Sequence, residues 1–215
     1  MGQFDAPGDL KGYAFKYNGQ GITLYVTNDG HAVLGTLLDA KGKDLSEAPL
    51  EKLVYKPLGQ EMWASLEKST WIADGKSTAK HIVYVFTDPH CPYCTAFWKS
   101  AGPWVDSGKV QLRHILVGIL RPDSAGKAAA LLAAKNPKQA LHDYEESNSK
   151  DDFKPLSEIP KDLEKKLADN VALMTKLGSQ ATPAIFYMDD HNRLQHYQGA
   201  PTKKQLINIM EGKTL

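Results

Sequence analysis

The sequence HIVYVFTDPHCPYC, residues 81–94, joins a continuous apolar run to two cysteines three positions apart. The apolar run is rich in β-branched and aromatic residues, which is typical of a central strand buried on both faces. Cys91 then begins a predicted helix that extends to about Val105, and residues 110–118 form a second apolar strand. A strand, a helix and a strand in this order predict a right-handed parallel crossover.

Composition excludes several other classes of protein. The chain has 215 residues with 26 basic and 25 acidic side chains, and its formal net charge of +1 gives no electrostatic footprint for nucleic acid. It contains no run of about 18 apolar residues, the length needed to span a membrane. Its two cysteines are too few for a disulfide-rich scaffold or a four-cysteine zinc site. The length allows one large domain or two small ones.

Residues 12–38 predict a small antiparallel meander. Between residues 22 and 26, aliphatic side chains alternate with threonine and tyrosine, the period-2 pattern of a half-buried strand. The turn Asn28-Asp29-Gly30 favours a hairpin into a second strand that ends at about Leu38. A helix is predicted over residues 58–71, directly after Pro57.

The rest of the chain predicts further helices and strands, with a polar loop over residues 148–158. Helices are expected over 124–147, 159–177 and 202–210, and strands over 184–188 and 194–198. Thr182-Pro183 directly precedes the first of these two strands, and a proline at this position is a candidate for a cis peptide bond.

The Cys91-Pro92-Tyr93-Cys94 segment predicts a redox-active pair. Two cysteines in the first turn of a helix can close a disulfide with little movement of the backbone. The first sulfur faces unsatisfied N–H groups and the positive end of the helix dipole, which favour the nucleophilic thiolate. Pro92 suits the first helical position. His90 is either an exposed loop residue or, when protonated, a positive neighbour of Cys91. Because Cys94 lies one turn further in, we expect it to be less exposed and to resolve the mixed disulfide.

Other uses of two cysteines are weaker alternatives. A zinc site needs two more ligands, for which the sequence offers only histidines such as His81 and His114. A c-type haem site needs histidine directly after the second cysteine, where Thr95 stands. A purely structural disulfide also stays open at this point.

Several stretches closely resemble the DsbC/DsbG family of periplasmic thiol:disulfide isomerases and reductases, and the resemblance extends over almost the whole chain. They are residues 4–8, 61–63, 86–94, 97–98, 103–113 and 182–185. The resemblance implies an α+β fold in three parts. These are a small antiparallel cystatin-like N-terminal domain over 1–57, a linker helix over 58–75, and a thioredoxin-fold domain over 76–215 with a helical insertion at about 121–177.

The same resemblance implies a function and a set of site residues. It implies disulfide isomerisation or reduction on oxidised or misfolded exported proteins, and rescue of sulfenylated cysteines, with no cofactor and no metal. A DsbD-type membrane reductase would supply electrons, and the N-terminal domain would form a homodimer. The implied roles are nucleophile for Cys91, resolving thiol for Cys94, cis-proline substrate loop for Thr182 with Pro183, and modulation by His90, Pro92 and Tyr93.

Two features depart from the family or fold pattern. The chain begins at what matches the interior of the family's dimerisation domain, and its first residues lack the charged and apolar regions of a secretory signal. The missing start leaves the implied dimerisation open. Because the resemblance is to periplasmic proteins, we expect a periplasmic protein whose signal is not in this sequence. Thioredoxins proper carry a buried aspartate six residues before the first cysteine, where Val85 stands, so the motif shows no proton acceptor for Cys94.

Two further functions remain as alternatives. The protein would be a chaperone-like module if Tyr93, Phe97 and the aromatic side chains of the linker formed an apolar surface for unfolded exported proteins. The favoured interpretation places these side chains in the core. It would be a dithiol oxidant if the pair introduced disulfides rather than shuffling them, a choice that the reduction potential decides.

Overall fold

A computed structural model describes residues 2–147 and 153–215. The chain divides into two compact units, the first ending at Trp63 and the second beginning at Ala64. The finer division into a domain over 1–57, a linker helix over 58–75 and a domain over 76–215 stays a prediction.

The first unit contains a four-stranded antiparallel sheet in the order β1-β2-β3-β4. Its strands are β1 (Gly2–Asp5), β2 (Lys11–Tyr17), β3 (Gln20–Val26) and β4 (Ala32–Leu34). The predicted antiparallel meander is confirmed, but its last strand ends before Leu38. The chain turns at Gly35, whose φ of 145° is a conformation that residues with a Cβ rarely adopt.

A helical run follows the first sheet and begins earlier than the sequence pattern predicts. It consists of α1 (Glu47–Leu50), a π-helical turn (Glu51–Tyr55) and α2 (Lys56–Glu67). The prediction of a helix start after Pro57 is wrong. The helix runs through this proline, and the π-helical turn, with its wider hydrogen-bond spacing, ends two residues before the missing N–H donor.

The second unit is built on a five-stranded mixed sheet in the order β5-β7-β6-β8-β9. Its strands are β5 (Ile72–Asp74), β6 (His81–Thr87), β7 (Val110–Leu116), β8 (Ala184–Met188) and β9 (Leu194–Gln198). Strands β6 and β7 are parallel and are joined by α3 (Pro92–Asp106). The predicted strand–helix–strand crossover is therefore confirmed, and the other strand pairs of this sheet are antiparallel.

Helices cover both faces of this sheet and bury its central strands. On one face α3 and α7 (Lys203–Glu211) pack on strand residues, among them Val83, Val85, Leu112 and Ile185. On the other face lie the helices between β7 and β8, which are α4 (Ser124–Ala133), α5 (Pro137–Glu146) and α6 (Lys161–Lys176). The expected helical insertion is present.

One helix predicted within this insertion is in fact two. The sequence pattern gives a single helix over 124–147, but α4 ends at Ala133 and α5 starts at Pro137. The side chain of Asn136 accepts a hydrogen bond from the Gln139 N–H and caps the new helix, with proline at its first position. The predicted loop over 148–158 lies partly outside the described residues. In the part of the chain that is described, no helix is long and apolar enough to cross a membrane.

Candidate active site

Cys91 is the N-cap of α3, at the point where the chain leaves the end of β6. Its backbone is extended, with φ −81° and ψ 109°, and its sulfur accepts a hydrogen bond from the Cys94 N–H over 3.2 Å. Pro92 occupies the first helical turn, where its missing N–H costs nothing. A cysteine sulfur thus takes the place of the oxygen that usually caps a helix.

The surroundings of Cys91 stabilise its thiolate. Its pKa is lowered from 9.0 to about 6, chiefly by the hydrogen bond with the Cys94 side chain, with further contributions from Thr182 and from the N–H groups of Tyr93 and Cys94. Burial acts in the opposite direction. Both cysteines are free thiols in this structure.

Cys94 has the opposite electrostatic character. Burial raises the pKa of its thiol far above the usual range, and the neighbouring Cys91 sulfur raises it further. The two residues differ little in exposure, at 3% for Cys91 and 2% for Cys94. The sequence predicts that Cys94 is clearly less exposed than Cys91, but the two are buried almost equally. They differ instead in which thiol ionises.

The loop before β8 lies beside the cysteine pair. The peptide bond between Thr182 and Pro183 is cis, as the sequence predicts. The Cys91 Sγ–H donates to the backbone oxygen of Thr182 over 3.4 Å. The Gly199 N–H donates to the backbone oxygen of Pro183 over 2.8 Å and fixes this loop to the end of β9.

The other aromatic and histidine side chains near Cys91 in the sequence differ in burial and partners. The His90 imidazole is buried, and its Nε2 lies 2.8 Å from Oδ1 of Asp123, whose pKa this contact lowers. Tyr93 is 61% exposed, whereas Phe97 is 2% exposed and belongs to the core. The favoured interpretation, that both side chains belong to the core, is therefore confirmed for Phe97 and wrong for Tyr93, which presents an apolar surface.

The histidines considered as zinc ligands have other partners. His81 Nε2 lies 2.7 Å from the backbone oxygen of Ile209, and His114 Nδ1 lies 3.3 Å from the hydroxyl of Thr87. Within residues 2–147 and 153–215, no group of three or more His, Cys, Asp or Glu side chains could hold a metal ion.

Comparison with known proteins agrees with this geometry. A family model described as a thioredoxin-like domain matches residues 72–213. The thiol:disulfide interchange protein DsbG of Pseudomonas aeruginosa is 56% identical over 211 residues, covering 98% of this chain and 82% of that protein. DsbG of Escherichia coli K12 is 49% identical over 211 residues, covering 98% of this chain and 85% of that protein. The chain belongs to the DsbG family.

More distant similarities extend the DsbG comparison. The thiol:disulfide interchange protein DsbC of Escherichia coli K12 is 26% identical over 191 residues, covering 86% of this chain and 72% of that protein. A periplasmic thioredoxin-like protein from Salmonella enterica serovar Typhimurium superposes with a TM-score of 0.58 at 18% identity, covering 70% of this chain and 94% of that chain. The α-DsbA2 protein of Wolbachia pipientis gives 0.55 at 17% identity, covering 75% and 96%. These structures share the thioredoxin-like fold.

The structure also places residues at this DsbG-type site that the sequence pattern does not reveal. Asp88 is fully buried in the loop before Cys91. From α5 of the insertion, the Tyr144 hydroxyl donates to the backbone oxygen of Pro89 over 2.7 Å. Thr95 of α3 donates to the buried carboxylate of Glu145 over 2.6 Å. The Asp88-Pro89 pair reads as an ordinary turn in the sequence, and nothing local indicates that residues 144 and 145 reach the site.

Proposed function

We propose that the chain is a periplasmic disulfide isomerase or reductase that acts on exported proteins through Cys91 and Cys94. As a member of the DsbG family it is a thiol:disulfide interchange enzyme. The single observation that carries the assignment of roles is the Cys91 sulfur at the N-cap of α3, 3.2 Å from the Cys94 nitrogen and with its pKa lowered to about 6. At neutral pH this thiol is mostly ionised, while Cys94 keeps its proton.

Exchange begins when the Cys91 thiolate attacks one sulfur of a substrate disulfide. A bond forms between Cys91 and that sulfur, the substrate disulfide breaks, and the second substrate sulfur leaves as a thiolate. In isomerisation, another substrate thiolate attacks the mixed disulfide and releases Cys91. In reduction, the Cys94 sulfur attacks Cys91 after losing its proton, so that the substrate leaves with two electrons and the enzyme holds a Cys91–Cys94 disulfide.

A sulfenylated substrate cysteine follows the same route. The Cys91 thiolate attacks the sulfenic sulfur, the S–O bond breaks, and the oxygen leaves as hydroxide that is protonated to water. Cys94 then resolves the mixed disulfide as before. In both reductive routes a dithiol donor restores the reduced pair by the same exchange chemistry, and we propose a DsbD-type membrane reductase in this role.

The loop around Pro183 is the proposed substrate-binding element. The backbone oxygen of Thr182 lies 3.4 Å from the reacting sulfur, and β8 begins directly after Pro183. An extended substrate segment that pairs with this loop would bring its own sulfur to Cys91. His90, Pro92 and Tyr93 adjoin Cys91 in the chain and would modulate the reactivity of its sulfur.

The periplasmic location and a homodimer formed through the N-terminal domain belong to the same proposal. The family membership and a fold shared with a periplasmic thioredoxin-like protein support the location. The antiparallel sheet of the first unit, whose strand β4 is exposed along its length, is the element proposed to pair between subunits. Analytical ultracentrifugation of the full chain tests this, and a monomer at all concentrations would contradict it.

Substitution of each cysteine tests the catalytic assignment. A Cys91→Ala variant should lose insulin reduction and isomerisation of a scrambled substrate, because no nucleophile remains. A Cys94→Ala variant should still attack and should accumulate mixed disulfides that are visible on non-reducing gels. Full reductase activity in Cys91→Ala would overturn the assignment.

A dithiol oxidant is the second candidate, and one observation favours it. The lowered pKa of Cys91 means that its thiolate is stabilised. A more stable thiolate favours the reduced state and makes the pair more oxidising. Equilibration of the pair with glutathione buffers gives its potential. A potential near that of strongly oxidising pairs, with rapid oxidation of a reduced unfolded substrate, would favour the oxidant over the isomerase.

A further inference from the structure

Asp88 is a buried carboxylate beside Cys91 for which the proposed exchange steps have no use. The residue is 0% exposed and lies three positions before the nucleophile, at the end of β6. A buried charged group costs free energy unless hydrogen-bond donors satisfy it. The partners of this carboxylate therefore indicate what it holds in place.

The carboxylate of Asp88 receives donors from two separate segments of the chain. Its Oδ1 accepts the His90 N–H and the Ser124 hydroxyl, each over 2.9 Å. Its Oδ2 accepts the N–H groups of Ile119 and Leu120, over 2.7 and 3.0 Å. The side chain thus joins the turn before Cys91 to the loop that follows β7.

The backbone of Asp88 contacts both cysteines. Its oxygen accepts the Cys91 N–H over 2.9 Å, which closes the turn that precedes α3. A backbone hydrogen bond between Asp88 and Cys94 lowers the pKa of Cys94 and opposes the effect of burial. A shift of this residue would therefore move the Cys91 sulfur relative to the N–H groups of Tyr93 and Cys94 and relative to Thr182.

We propose that Asp88 is a positioning residue for thiol–disulfide exchange, whose carboxylate fixes the turn before Cys91 against the loop after β7. The inference rests on the proposed exchange through Cys91. Other titratable groups also flank this turn. They are His90 itself, Asp123 at the N-cap of α4, Lys127 within α4, and Glu145 of α5.

Asparagine at position 88 tests the proposal because it keeps the shape of the side chain. An amide has one acceptor oxygen, so one pair of donors in the Asp88→Asn variant would face an NH₂ group instead. Asp189→Asn is a matched control. Asp189 is also a buried carboxylate that accepts loop N–H groups, from His191 and Arg193 over 2.9 Å each, but it lies at the end of β8 remote from Pro183.

The readout is the pH dependence of Cys91 alkylation by iodoacetamide in the reduced full chain. We expect Asp88→Asn to raise the midpoint from about 6 by about one unit, a tenfold loss of thiolate stability, and to slow insulin reduction near neutral pH. Asp189→Asn should lower the thermal stability of the chain and leave this midpoint unchanged.

Four results would overturn the proposal. An unchanged midpoint in a folded Asp88→Asn variant would reduce Asp88 to a structural role. A lowered midpoint would show that the carboxylate acts through its charge, and an equal rise in Asp189→Asn would show a general effect of lost stability. If Asp88→Asn fails to fold, Ser124→Ala removes one of the four donors, and an unchanged midpoint there would count equally against the proposal. Because alkylation reports on Cys91 directly, these outcomes are independent of whether Cys91→Ala loses activity.

Discussion

The Cys94 N–H donates to the Sγ of Cys91 over 3.2 Å, so the resolving residue supplies a donor that stabilises the attacking one. This relationship couples the two thiols. The Cys91 pKa falls to about 6, and burial together with the Cys91 sulfur raises the pKa of Cys94. The first two predictions follow from this coupling.

Alkylation of the reduced chain should modify one cysteine selectively. We expect the rate with iodoacetamide to rise with pH and to level off above a midpoint of about 6, because only the thiolate of Cys91 reacts. Mass spectrometry of peptides should find the label at Cys91 and leave Cys94 unlabelled near neutral pH. A midpoint near 9 would contradict the stabilising contacts described here.

The same pKa difference makes the stability of the reduced chain depend on pH. A thiol whose pKa is lower in the folded than in the unfolded chain adds stability above the unfolded value of 9.0, and this contribution is lost as pH falls through about 6. Between pH 6 and 8, the free energy of unfolding should rise on the order of 1–2 kcal/mol more in the reduced native chain than in Cys91→Ala. Urea titrations at several pH values measure this free energy. The same dependence on pH in the two proteins would contradict the prediction.

Loss of the Tyr144 hydroxyl should weaken the attachment of α5 to the active-site turn. The Tyr144→Phe variant removes a buried hydrogen bond to the Pro89 oxygen of 2.7 Å, and we expect it to lower the free energy of unfolding by about 1–2 kcal/mol. Tyr17→Phe is the control, since Tyr17 is 60% exposed. Chemical denaturation of both variants checks the difference, and equal stabilities would argue against a formed bond.

Two of the aromatic residues of α3, Tyr93 and Phe97, should respond differently to truncation. Phe97→Ala removes a core side chain and should cost about 3–5 kcal/mol. Tyr93→Ala removes an exposed side chain and should change stability by less than about 0.5 kcal/mol. If the chaperone-like alternative holds, Tyr93→Ala should also bind a reduced unfolded protein more weakly, as measured by suppression of its aggregation.

Gly118 should tolerate no side chain. A Cβ at this position would lie 2.4 Å from the Cα of Ala125. Because a backbone atom cannot relieve this clash by rotating to another rotamer, Gly118→Ala should destabilise the chain by roughly 1–3 kcal/mol. Gly102→Ala is the matched control in α3, where the nearest atom is the Asp106 carboxylate at 3.9 Å. That change should raise stability by up to about 1 kcal/mol, because alanine favours helix. Equal melting temperatures for the two variants would show that the loop moves freely.

Local signals account for most of what the sequence predicted of this fold. The apolar strand before Cys91, the helix that begins at Pro92 and the proline before β8 all follow from patterns within a few residues. The break between α4 and α5 also had a local signal in Asn136-Pro137, which the alanine-rich helical pattern outweighed. Whether a segment forms a helix or a strand was therefore easier to predict than the residue at which it begins or ends.

The contacts that build the site were beyond such patterns because they join distant parts of the chain. Asp88 contacts Ile119 and Leu120, which follow it by 31 and 32 positions. Tyr144 contacts Pro89, which precedes it by 55 positions. Neither side chain differs in type from an ordinary turn aspartate or core tyrosine. Burial and partners, which only the folded chain defines, distinguish them.

The hydrogen bond between Tyr144 and Pro89 limits which parts of this domain can be exchanged or removed independently. Helix α5 of the insertion donates a hydrogen bond to the turn before the cysteines. The position of the CPYC motif therefore depends on the insertion. A protein engineer who shortened this region to a minimal thioredoxin would remove that donor along with the helix. Exchange of the four-residue motif between homologues should therefore transfer redox properties faithfully only when the recipient also carries a compatible α5.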